Sequence, residues 1–189
     1  VCQGTASNLT WTTTASHDYD IYYDTDNAVD TTGATLVETI SSPSNTLSTP
    51  PTLPAGTYYW KITATVGSCT STVVVSSAFT VTSVTDASAI NVSDVCSGAP
   101  SNLTWTSTGG HGYDIYYDTD NVANTTGATF VSTISSPSNT LGAPPTLAVG
   151  SYYWKVITKV GGCTSSSIVV SGIFTVSALT NASALNVSD

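Results

Sequence analysis

Thr57-Tyr58-Tyr59-Trp60-Lys61-Ile62-Thr63-Ala64-Thr65-Val66 alternates with a period of two. Tyr58, Trp60, Ile62, Ala64 and Val66 fall on one side, and Tyr59, Lys61, Thr63 and Thr65 on the other. Successive strand side chains point to opposite faces, so the pattern predicts a half-buried strand of an antiparallel sheet, with Tyr59 and Lys61 outward. The same alternation surrounds it. Tyr19, Ile21 and Tyr23 alternate with Asp20, Tyr22 and Asp24, and Leu9 and Trp11 mark a strand before them. Residues 36–40, 45–47 and 72–82 supply further strands. Thr32-Gly33, Ser42-Pro43, Pro50-Pro51, Pro54-Ala55-Gly56 and Val66-Gly67 punctuate them as turns. About seven short strands with frequent turn signals and almost no helical pattern predict an all-β sandwich.

The whole unit occurs twice. SNLTWT, YDIYYDTDN, TTGAT, ISSPSNTL, PPTL, YYWK, CTS, FTV and NVSD recur in order with a period of about 95 residues. That period suits one complete sandwich of about 100 residues and is too long for a solenoid repeat. Two tandem antiparallel sandwiches are expected over 1–82 and 95–177. Residues 83–94 and 178–189 follow each as a linker or donor-type strand. At the internal junction Asn91-Val92-Ser93-Asp94 runs straight into Val95-Cys96, and Asn186-Val187-Ser188-Asp189 repeats the first part of that junction. Two explanations stay open: a piece of a longer array, or a subunit whose end docks onto the next molecule. Either gives a head-to-tail string.

Charge is scarce. Lys61, Lys155 and Lys159 are the cations against twelve carboxylates, a net charge of −9, while Ser and Thr make up a third of the chain. Such a balance repels phosphate backbones and anionic lipid, which argues against nucleic-acid partners. No apolar run approaches the roughly 18 residues of a membrane helix, so membrane insertion is not expected.

Cys-x-Gly, Leu-x-Trp, Tyr-x-x-Tyr, Gly-x-Tyr-Tyr-Trp-Lys and Gly-x-Cys-Thr together resemble the Ig-like and fibronectin type III-like modules strung along large secreted surface proteins of gliding, type IX-secreting bacteria. The resemblance covers both units and implies an extracellular spacer, stalk, adhesin shaft or accessory module. Leu53-Pro54-Ala55-Gly56-Thr57-Tyr58 resembles the corner at which a Tyr hydroxyl bonds back to the chain; unit two lacks the Pro, which predicts a less rigid corner there. The same interval separates Cys2 from Cys69 and Cys96 from Cys163. Four cysteines allow three pairings, and one bridge per domain, Cys2–Cys69 and Cys96–Cys163, is the pairing expected of such a fold. Each would stabilise an exported domain by about 2–4 kcal/mol. Metal thiolates or a reactive thiol are the rivals, although zinc-type paired spacing is missing.

No catalytic constellation is present in the sequence, and an enzyme is not expected. Ser16-His17-Asp18 places its members side by side in one loop, and Gly112 stands where the second unit would need the Asp. Asp24, Asp26 and Asn27, with Asp118, Asp120 and Asn121, could offer oxygens to Ca²⁺, or could simply form Asx turns; no other cofactor is suggested. Tyr22, Tyr59, Tyr116 and Tyr153 share an outward face that could stack on sugars or on a neighbouring chain, or merely pair across strands. Asn8, Asn91, Asn102, Asn124, Asn181 and Asn186 each head Asn-x-Ser/Thr, and Thr31 lies in Asp30-Thr31-Thr32, which resembles an O-glycosylation motif of the same secreted proteins. The expected function is a structural building block of an extracellular repeat filament, fibre or adhesin stalk, with copies of itself as head-to-tail partners and glycans as a further partner. The alternative is a carbohydrate-binding or spacer module of a secreted hydrolase.

Overall fold

The computed structural model describes residues 1–180 and divides into two compact units, Val1–Ser83 and Val84–Asp189. Both are all-β sandwiches in which the long strands pair antiparallel, as the alternating stripes require. Unit 1 holds β1 (Asp18–Asp24), β2 (Thr35–Ser41), β3 (Gly56–Val66), β4 (Cys69–Thr70), β5 (Val74–Val75) and β6 (Phe79–Val81). Unit 2 holds β7 (Ser88–Val92), β8 (Val95–Cys96), β9 (Leu103–Thr106), β10 (Gly112–Asp118) and β11 (Thr129–Ser135). It continues with β12 (Gly150–Val160), β13 (Cys163–Thr164), β14 (Val169–Val170) and β15 (Phe174–Ser177).

The stretch that alternates most clearly, β3, is the axis of unit 1. It pairs with β1 along its length, β1 carries β2 on its far side, and β4, β5 and β6 take successive parts of the other edge of β3. β12 does the same in unit 2. The opposite layer of unit 1 is represented by the bridges Ala6–Thr52 and Thr10–Thr46. Between the layers Trp60 stacks on Phe79 at 5.6 Å between ring centres, and Trp154 on Phe174 at 5.9 Å. The tyrosine corner forms in both units. Tyr58 donates its hydroxyl proton to the Pro54 carbonyl, and Tyr152 to that of Ala148, each at 3.1 Å. The missing proline leaves that bond unchanged.

The two units differ at the first-strand position. From Val84 onward the junction segment belongs to unit 2, where β7 pairs antiparallel with β9. Ala89, at φ 48°, marks an irregularity in the register between Ser88 and Asn91. Ala87, Ile90 and Val92 pack onto a single core cluster that includes Leu103, Trp105 and Tyr113. Leu103 and Trp105 are thereby almost fully buried, whereas Leu9 and Trp11, their counterparts, are only half-buried, and the unit 1 core falls into two smaller clusters. Of the segment 178–189, only 178–180 lie within the described residues.

Burial sets an expectation for stability. In dilute solution Trp105→Ala costs about 3–5 kcal/mol of unfolding free energy, and Trp11→Ala clearly less, because its ring is already partly exposed. Denaturant titration followed by tryptophan fluorescence checks the order; equal costs contradict it.

Candidate functional site

The paired acids after β1 and β10 are already occupied by a cation of the chain itself. Tyr22 stands opposite Lys61 in the β1–β3 register and Asp24 opposite Tyr59, so Lys61 lies on the outward face as its sequence phase demands. It is nonetheless completely buried. Its Nζ donates to Asp24 at 2.7 Å and Asp26 at 2.9 Å, and Lys155 repeats this with Asp118 at 2.6 Å and Asp120 at 3.0 Å. The expectation of a solvent-facing Lys61 is therefore corrected: the turn after the strand folds back over it. Asp24 and Asp26 also accept the Thr25 and Ala28 amides, as Asp118 and Asp120 accept those of Thr119 and Val122. The Ca²⁺ candidates Asp24, Asp26, Asp118 and Asp120 thus serve an ammonium and Asx turns. Asn27 and Asn121 are exposed beside them, and no metal-holding cluster occurs among the described residues.

The electrostatics agree. Burial pulls the Lys155 ammonium down, but hydrogen bonds and charges from Asp118 and Asp120 outweigh it and hold the group above its usual 10.5. The hydrogen bond from Lys155 holds Asp118 below the ordinary 3.8. Nothing in the sequence period revealed this pair; the recurrence of one Lys opposite one Asp-Thr-Asp in both units was the available signal.

Tyr22, Tyr59, Tyr116 and Tyr153 are half-buried on this face, and Tyr116 meets the exposed Phe130 edge-on at 5.3 Å. Asn8, Asn91 and Asn102 are exposed. Thr31 and Asn124 are half-buried, with Asn124 accepting the Thr126 amide at 2.8 Å. Asn181 and Asn186 lie outside the described residues. The ring Nδ1 of His17 contacts the Ala15 carbonyl and that of His111 the Gly109 carbonyl, so both rings are tied to their own loops.

The more consequential surface is the first-strand position of unit 1, which none of the described residues fills. Trp11, Tyr19, Ile62, Ala64, Ser71 and Val74 are among the residues lining a groove of about 220 Å³. It adjoins a hollow of about 280 Å³ that includes His17 and Cys69. At the matching places unit 2 holds the junction segment, although Ala64 stands where unit 2 has Thr158 and offers no hydroxyl. His111 Nε2 meets the Thr85 amide at 3.4 Å, Ser165 bonds the Asp86 carboxylate, and Thr158 Oγ1 accepts the Ala87 amide at 3.0 Å. Ser88 pairs with Thr106. The groove therefore has the outline of a strand that unit 2 already contains.

The expected bridges Cys2–Cys69 and Cys96–Cys163 are not formed. Cys2 and Cys163 are disulfide-bonded, while Cys69 and Cys96 are free and exposed. The reason is strand direction. Cys2 bridges Thr82, next to the Val81–Gly56 pair at the start of β3, whereas Cys69 pairs with Val66 at its end. The eleven residues of β3 place those points roughly 30 Å apart, and a disulfide tolerates at most about 7 Å between Cα atoms. Cys96 beside Ser177 and Cys163 beside Val160 are separated in the same way along β12. First and last strands do neighbour each other, but their cysteines sit at opposite ends of each unit.

No family model and no curated protein sequence matches the chain. Among solved structures it is similar to the FN1–FN3 domains of chicken CNTN1, with 15% identity, a TM-score of 0.47 and coverage of 89% of this chain. The chain spans 61% of that structure. It is also similar to a two-domain fibronectin type III segment of chicken tenascin, with 14% identity, a TM-score of 0.44 and coverage of 89% and 90% of the two chains. A third likeness is the BSP domain of a biofilm associated protein, with 17% identity, a TM-score of 0.33 and coverage of 96% of this chain and 29% of that one.

The buried pair makes a pH prediction. A depressed Asp118 stabilises the fold above its unfolded value of 3.8 and loses that contribution as pH falls through its folded value. A raised Lys155 contributes fully below 10.5 and loses it as pH rises through its folded value. Unfolding free energy is expected to be level between these limits and to fall beyond each. Asp118→Ala leaves the buried ammonium with Asp120 alone and costs about 3 kcal/mol at neutral pH. Melting curves with excess Ca²⁺ and with chelator should coincide; a Ca²⁺-dependent rise in Tm contradicts the assignment of these acids to lysine.

Proposed function

We propose that the chain is a structural building block of an extracellular filament, fibre or adhesin stalk, joined head to tail by strand addition. One observation carries this: the same first-strand position is filled by residues 84–92 in unit 2 and is an open groove in unit 1. The proposed occupant of the open groove is residues 178–189 of a second copy. They repeat 83–94 closely, with Ala182, Leu185 and Val187 standing for Ala87, Ile90 and Val92, Asn181 for Asp86 and Ala178 for Ser83.

Physical chemistry supports the fit. Adding a strand satisfies backbone donors and acceptors along an open edge and covers Leu9 and Trp11 in one step. Because donor and acceptor surfaces lie on different parts of the chain, the contact is heterologous and extends into a string. A low-charge, hydroxyl-rich surface suits a secreted shaft, and two rigid sandwiches supply reach.

Association should therefore depend on protein concentration. Light scattering of the 189-residue chain with reductant present is expected to show linear multimers that grow with concentration. Leu185→Asp and Val187→Asp are expected to remain monomeric with unchanged β-sheet circular dichroism. A wild-type chain that stays monomeric up to millimolar concentration overturns the proposal.

A further inference from the structure

We infer that Cys69 and Cys96 are a donor–acceptor pair of thiols that lock one molecule covalently to the next, as a Cys96–Cys69 disulfide between copies. The inference rests on the strand-addition reading and adds a covalent site to it.

Each unit carries one cysteine at each end, and one of the two is bonded while the other is free. The free ones are the repeat counterparts of the bonded ones: Cys96 corresponds to Cys2, and Cys69 to Cys163. The sister repeat therefore shows that both positions are built for sulfur pairing, a first-strand cysteine in one role and a hairpin cysteine in the other.

Local geometry brings the roles together. Cys96 is registered beside Ser177, whose carbonyl accepts the Ser97 amide at 2.8 Å, and Ser177 immediately precedes the segment 178–189. Cys2 is likewise beside Thr82, immediately ahead of the junction segment. In unit 2 that segment enters with Thr85 on His111 and Asp86 on Ser165, two residues beyond Cys163. The corresponding hollow in unit 1 is lined by His17, Ala64, Val66, Cys69, Thr70 and Ser71. An incoming 178–189 segment that copies this entry delivers the Cys96 end of its own molecule to Cys69.

The chemistry needs an oxidant, and a disulfide such as oxidised glutathione supplies it. One protein thiolate attacks the glutathione disulfide and expels a reduced glutathione thiolate, giving a mixed disulfide. The second protein thiolate attacks the protein sulfur of that bond and expels the other glutathione. Two protein thiols thus become one disulfide, and one oxidised glutathione becomes two reduced ones. Strand docking raises the local concentration of one thiol at the other towards the millimolar range.

The test is oxidation of the full chain in a glutathione buffer, followed by non-reducing electrophoresis and peptide mapping with a protease other than trypsin. Wild type is expected to give a ladder with a Cys96–Cys69 peptide. C69S and C96S alone are each expected to give no ladder, and their equimolar mixture a dimer that grows no further. Leu185→Asp is expected to slow the ladder by about tenfold or more. Single variants that form symmetric dimers as fast as wild type overturn the inference, as does mapping of Cys2–Cys69 and Cys96–Cys163. If both thiols stay open to alkylation while light scattering shows multimers, the disulfide fails and strand addition stands. If the C69S/C96S double variant does not associate under reductant, strand addition itself fails.

Discussion

A sandwich sheet cannot leave its first-strand position bare without exposing a row of backbone groups and the apolar wall behind it. That constraint organises the molecule. In unit 2 residues 84–92 meet it, turning Leu103 and Trp105 into fully buried core residues and uniting the cluster around Tyr113 and Trp154. In unit 1 the same wall stays half-covered, and its core divides. The difference between the two repeats follows the neighbouring segment together with changes on the wall itself, where Ala64 stands in place of the Thr158 that accepts the Ala87 amide.

Most of the architecture was legible in the sequence because it depends on period-two burial. The stripe in 57–66 is β3, Tyr19, Ile21 and Tyr23 lie on β1, and the Tyr58 corner forms as its motif resembles. Two features were not legible. Alternation assigns a face but not what covers it, so Lys61 reads as solvent-facing until Asp24 and Asp26 close over it. Equal sequence intervals between cysteines say nothing about strand length, so Cys2 and Cys69 look like partners until β3 is seen to hold them at opposite ends. Both corrections come from the third dimension: a turn folding back in one case, a strand keeping two points apart in the other.

Polar chemistry is concentrated where it is needed. The aspartates after β1 and β10 each fix a turn and neutralise a buried ammonium at once, so one short motif closes the end of a hairpin and caps a charge in the sheet. Elsewhere serine and threonine hydroxyls take on small structural tasks. Ser76 and Ser171 cap the Trp60 and Trp154 amides at 2.9 Å, and Thr39 and Thr133 tie neighbouring strands through Asp20 and Asp114. The surface stays soluble through groups that carry no charge.

The burial of Lys61 and Lys155 has a consequence for durability. Proteases that cut after basic side chains find no arginine in this chain and three lysines. Two of these are sealed inside the sheet, and the third, Lys159, is 42% exposed and paired with Asp114. A digestive enzyme of that specificity meets almost no bond it can reach while the strands hold. Reagents that label side-chain amines meet the same scarcity, with Lys159 as their principal target.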